Sequence, residues 1–123
     1  MRVSPDEFED LVVKIQQIQK GRGGEVLLVS PPRTRFLEKE SPSSRRFTRS
    51  IERAAAKIGA PVADVRAAFR AHEIEGNPGE DFQTSNDWFI DSVHPTPAGH
   101  TAYAEAVAKR LVDSQLLEKA KGR

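Results

Sequence analysis

The chain has 123 residues, with 19 Lys plus Arg against 18 Asp plus Glu, a formal charge of +1, and no cysteine. That length suits one small domain. The charge balance gives no electrostatic reason to expect nucleic acid or an anionic membrane as partner, and the lack of cysteine excludes disulfides, thiolate catalysis and cysteine metal sites.

No apolar run approaches the ~20 residues needed to span a bilayer. The start MRVSPDEFEDL carries acidic residues where a signal peptide needs an apolar core. Compartment stays open, since a lost N-terminus could have carried such a signal.

A first helix is predicted from Ser4. Ser4 is its N-cap, Pro5 fills the first turn and Glu7 completes a capping box, with Val3 and Phe8 placed as a hydrophobic staple. Phe8, Leu11, Val12, Ile15 and Ile18 form its apolar face, and Gly21 stops it. Val26 to Val29 is a continuous apolar run and predicts a strand buried on both faces, ended by Pro31 and Pro32. Arg33 to Ser44 is polar and predicts a loop. A second helix is expected over 42–58, with Phe47, Ile51, Ala54, Ala55 and Ile58 as its stripe and Gly59 as its stop. A second strand is expected over 61–65 and a short helix over 66–72. Residues 74–93, rich in Gly, Asn, Asp and Pro, predict a long surface loop, a kind that is usually functional. The last helix follows Thr96 as N-cap and Pro97, and buries Tyr103, Ala106, Val107 and Leu111. The charged tail 113–123 is expected to fray.

Alternating helices and strands imply α/β architecture with parallel strands. Two strands are few for a free-standing sheet, so the pattern predicts the C-terminal part of a larger one. An unpaired edge of the first strand would then need a partner, a second copy of the chain among the candidates.

The segment Asp91-Ser92-Val93-His94-Pro95, leading into Thr96-Pro97-Ala98-Gly99-His100 and a helix, resembles the final sequence block of SGNH (GDSL) serine esterases. The resemblance runs backward in family order. VSPDEFEDLVVKIQQIQ is similar to the helix after the family's Gly-x-Asn-Asp block, EVLLVSPP to its next strand and loop, and SIERAAAKIGAPVADV to the following helix and strand. It covers nearly the whole chain. It implies part of a flavodoxin-like α/β/α sandwich, one partial domain over 1–123, and hydrolysis of a small-molecule ester through an acyl-enzyme without metal or cofactor. It implies His94 as general base and Asp91 as the residue that orients it. Imidazole as a group titrates near neutral pH, at ~6.5, which suits it to move protons both ways.

The family's nucleophile block, Gly-Asp-Ser, and its oxyanion Gly and Asn are not in this sequence. None of the serines follows Gly-Asp, and Ser85-Asn86-Asp87 lacks the glycine and the order of the Asn-Asp block. The chain begins about where the Gly-x-Asn-Asp block would end, so Met1 reads as an internal methionine or a truncation point. Loss of one triad member can cost ~10⁶ in kcat, so the chain alone is expected to show no appreciable esterase activity. The alternatives are a non-catalytic binding or interaction module derived from such a hydrolase, and an unrelated α/β domain.

Ser30, at the end of the first strand, is expected to shape the substrate cleft, since ligands bind at the carboxyl ends of strands in open α/β sheets. Trp88 and Phe89 either line an acyl or alcohol pocket or anchor the long loop. Arg33, Arg35, Arg45, Arg46 and Arg49 are read as a solvated face, His72 as exposed, and His100 as packing or surface. A metal site from Asp91, His94 and His100 is disfavoured because no HxxxH pair is present. Gly21-x-Gly23-Gly24 precedes a strand instead of opening a helix, which argues against a phosphate loop.

Overall fold

The structure, a computed structural model, describes residues 3–76, 87–91 and 93–122. The element order is α1 (Pro5–Gly21), β1 (Leu28–Val29), α2 (Arg35–Glu40), α3 (Pro42–Ile58), β2 (Val62–Ala63), α4 (Val65–Gly76), α5 (Pro97–Asp113) and α6 (Leu116–Lys121). β1 and β2 pair in parallel, with Leu28 opposite Val62 and Val29 opposite Ala63. Mixed helices with a parallel strand pair are the coarse α/β pattern expected. Among the described residues no helix is long and apolar enough to cross a membrane.

Successive side chains on a strand point to opposite faces of the sheet, and the core divides accordingly. Val26 and Leu28 pack with Val12, Ala54 and Ile58, so α1 and α3 cover one face. Leu27 and Val29 pack with Ala63, Val65, Phe69 and Phe89, joined by Tyr103, Ala106 and Val107 of α5, on the other. The continuous apolar run of β1 is thus explained by helices on both sides.

The local signals in α1 and α3 act as read. The Ser4 hydroxyl accepts the Glu7 N–H at 3.1 Å, and the Glu7 carboxylate accepts the Ser4 N–H at 2.7 Å. α3 ends at Gly59 in the left-handed conformation (φ 65°), with Gly59 and Ala60 N–H groups donating back to Ala56 and Ala55. Gln16 of α1 donates to the last carbonyl of α3, Ile58, at 2.6 Å. That bond joins the two helices at an end that would otherwise expose an unpaired acceptor.

Several expectations are corrected. The apolar face of α1 is only partly used: Val12 is buried, while Leu11, Ile15 and Ile18 are about half exposed. Val3 and Phe47 are also half exposed. The strand run of four residues pairs over only two, and its residues are half-buried. A single short neighbour supplies the ladder, and no second strand among the described residues pairs with its other edge. β2 stops before Val65 because Asp64 caps α4, its carboxylate accepting the Ala67 N–H at 3.0 Å.

The loop expected over 33–44 contains α2. Thr34 caps it, accepting the Leu37 N–H at 3.2 Å, and the Glu73 carboxylate receives the Arg35 N–H at 3.1 and 3.2 Å. A carboxylate at a helix N-terminus favours the helix, and this one comes from α4, far along the chain. The helix expected over 66–72 runs from Val65 to Gly76. Of the loop expected over 74–93, residues 77–86 and Ser92 lie outside the described residues. The tail expected to fray forms α6, with Leu116 buried.

Candidate functional site

The segment from Asp87 to Thr96 folds back on itself. Phe89 and Pro95 form an antiparallel bridge. The Ile90 N–H donates to the His94 carbonyl at 2.8 Å, and the Thr96 N–H donates to the Trp88 carbonyl at 2.9 Å. The Thr96 hydroxyl donates to the Asp87 carbonyl at 2.6 Å and accepts the Gly99 N–H at 3.1 Å. One residue thus both caps α5 and clamps the incoming strand of the turn.

The same segment is anchored by its aromatic rings. Phe89 is buried, its ring 5.2 Å from Phe69 in an edge-on arrangement. Trp88 lies edge-on to Phe69 at 4.9 Å and stacks on His72 at 3.6 Å with the planes 4° apart. Of the two readings of Trp88 and Phe89, these contacts support the anchor. His72 is corrected as well: its ring is covered by Trp88 instead of standing free in solvent, and Nε2 lies 2.8 Å from an Asp87 carboxylate oxygen. That bond holds the Asp87 carboxyl below the usual carboxylate range.

Within the turn, Asp91 and His94 come together. One Asp91 oxygen accepts the N–H groups of Val93 and His94, both at 2.8 Å, in an Asx-type turn. The other lies 2.7 Å from Nδ1 of His94. The two backbone donors, then the ring, lower the Asp91 pKa to about 2, so it is ionised throughout the neutral range. A carboxylate facing Nδ1 makes Nδ1 the protonated nitrogen. Nε2 is left as the acceptor on a ring whose side chain is 72% exposed. The arrangement can take a proton at Nε2 and stabilise the resulting imidazolium at Nδ1. Among the described residues no three His, Asp or Glu side chains converge as a metal site would require, and His100 is exposed on α5.

Ser30 is buried at the end of β1. Its N–H donates to Ala63 and its carbonyl accepts from Arg66, both at 3.0 Å. Its hydroxyl has no partner among the described residues. Ser30 makes the turn from β1 and links it to α4; no hydrogen bond joins it to Asp91 or His94.

Sequence reasoning missed four supporting features. His72 and Asp87 sit on opposite sides of residues 77–86, and no spacing rule connects them. Gly99 had a signal, since glycine in a helix is unfavourable without a local reason. A Cβ there would stand 2.2 Å from the Trp88 carbonyl oxygen. The buried carboxylate of Glu38, held by Arg66 and Arg70, pairs α2 with α4. Burial pushes the neighbouring Glu73 carboxyl up from its ordinary value. Of the arginines read as a solvated face, Arg45, Arg46 and Arg49 are exposed and Arg33 and Arg35 half-buried, with the Arg35 backbone N–H donating to Glu73; the ion network itself is made by Arg66 and Arg70.

No family model, no curated protein and no solved structure matches the chain.

Proposed function

We propose that this chain carries the base-and-orienter half of a carboxylic-ester hydrolase of the SGNH type. The observation that carries the reading is the Asp91–His94 pair: a carboxylate 2.7 Å from Nδ1, held by two backbone N–H groups, with the far side of the ring open. The order of sequence blocks leading to Asp91 and His94 supports it. Helices on both sides of a parallel strand pair suit the C-terminal portion of a flavodoxin-like sandwich.

In this mechanism a serine hydroxyl supplied from outside the 123 residues meets Nε2 of His94. The ring takes the hydroxyl proton as the oxygen attacks the ester carbonyl, and Asp91 stabilises the imidazolium and fixes its orientation. The same proton passes to the departing alcohol. His94 then deprotonates a water that releases the acid and frees the serine. The clamp formed by Thr96, Trp88 and His72 keeps the pair from swinging with the loop.

The test begins with the codons upstream of Met1 in the native locus. The reading expects an open frame encoding Gly-Asp-Ser and then Gly-x-Asn-Asp. The extended chain should hydrolyse p-nitrophenyl acetate and lose on the order of 10⁴–10⁶ of kcat on His94→Ala. An upstream stop codon, or hydrolysis indifferent to His94→Ala, overturns the proposal.

A further inference from the structure

A groove of about 640 Å³ lies between the start of α1, α2 and the start of α3, within the size range of small-molecule sites. Phe8, Leu37 and Phe47 form its apolar wall. The rings of Phe8 and Phe47 are 6.3 Å apart. Phe47 continues the buried stripe of α3, yet stands 54% exposed at the groove. The wall therefore offers apolar surface that the described protein does not cover.

The polar lining is one-sided. Arg33 and Arg46 contribute two positive charges, and among the described residues no Asp or Glu lines the groove. The N-terminus of α3 also opens here: Ser41 is its N-cap but makes no capping bond, so the positive end of a 17-residue helix faces this region. An independent sign of a ligand is Ser44. It lines the groove, is 5% exposed, and its hydroxyl has no hydrogen-bond partner among the described residues. Buried hydroxyls are normally satisfied, and one that is not calls for a partner. Other side-chain hydroxyls in this region are paired: Ser41 with Ser43, and Ser50 with the Arg46 carbonyl.

We propose that this groove binds a single-chain amphiphile with a small anionic head, a carboxylate or a phosphate. The tail lies along Phe8, Leu37 and Phe47. The head is held by Arg33, Arg46 and the start of α3, with Ser44 donating its hydroxyl proton to the head. Asp91 and His94 take no part, so the inference stands apart from the esterase reading.

Calorimetric titration of the 123-residue chain with octanoate and with octyl phosphate, below their micelle concentrations, tests it, and comparison of the two separates the head groups. At least one anion should bind saturably with a Kd below about 1 mM, and octan-1-ol should bind about tenfold more weakly or worse. Arg46→Gln changes an exposed side chain and should weaken the anion about tenfold with the melting temperature unchanged, and Phe47→Ala, which also removes the ring contact with Phe8, should weaken it about tenfold while the chain still unfolds cooperatively. His94→Ala should bind as the parent does, which separates this result from any result on hydrolysis. Absence of saturation by both anions, equal affinity for octan-1-ol, or parental affinity in both groove variants overturns the proposal.

Discussion

Gly99→Ala measures how tightly the start of α5 is pressed against the turn that carries Asp91 and His94. The new Cβ would stand 2.2 Å from the Trp88 carbonyl oxygen, 2.9 Å from Pro95 Cβ and 3.1 Å from the Trp88 carbonyl carbon. Ordinary contacts need roughly 1 Å more than the shortest of these. The obstacle is backbone and cannot swing aside. The carbonyl that must move also accepts the Thr96 N–H at 2.9 Å, so relief stretches or breaks that bond. Overpacking of this kind costs about 1–3 kcal/mol, a strained hydrogen bond adds about 1, and alanine's better helix propensity returns at most about 1. We expect a net loss of about 2 kcal/mol, or roughly 8 °C in melting temperature for a domain of this size. Urea and thermal unfolding followed by circular dichroism read it directly. Gly21→Ala is the control, because nothing lies within 4 Å of its Cβ and it closes α1. It should hold or slightly raise stability. If Gly99→Ala melts at or above the parent, α5 does not press on the Trp88 carbonyl and the clamp as described is wrong.

Further outcomes follow from the same geometry. Carbon-13 NMR of the Asp91 carboxyl should titrate near 2, and its folded value lies below its ordinary 3.8. Its contribution to holding the turn is therefore complete above about pH 4 and lost as pH falls through about 2; a midpoint at 3.8 would contradict the two backbone hydrogen bonds. For Glu73 the sign is opposite: burial raises the folded value above 4.5, so stability falls as pH rises from 4.5 through that raised value. Glu73→Gln should flatten this slope in urea titrations, since an amide oxygen can still accept the Arg35 N–H, and an unchanged slope would show that Glu73 is not the group responsible. Phe69, fully buried against Trp88, Phe89 and Tyr103, should cost about 3–5 kcal/mol as Phe69→Ala. The near-ultraviolet signal of Trp88 should collapse with it, and a retained signal would mean that the anchor lies elsewhere.

The sequence by itself determined the features whose physics is local. The capping box at Ser4, the left-handed stop at Gly59 and the Thr96 cap of α5 each depend on groups within a few residues, so spacing alone reveals them. The Asp91–His94 pairing was legible for the same reason: three residues apart on a turn, the two side chains need no distant element to meet. The alternation of helix and strand likewise announced parallel pairing, because the connection lengths leave little else.

Only the tertiary structure decided the rest. α2 exists because carboxylates and arginines of distant segments converge on it: Glu73 at its N-terminus, and Arg66 and Arg70 on its buried Glu38. No local pattern in residues 33–44 encodes those partners. β1 and β2 shrink to two residues each because ladder bonds need a neighbour, and a strand's sequence records its apolar character but not the reach of its partner. The exposure of Leu11, Ile15 and Ile18 has the same origin. Helical periodicity marks which residues can be buried together, whereas burial itself requires a second surface. The anchoring of the segment that leads to Asp91 and His94 rests on a carbonyl packed against Gly99 and an indole stacked on His72, contacts that arise only when α4 and α5 pack together on one face of the sheet.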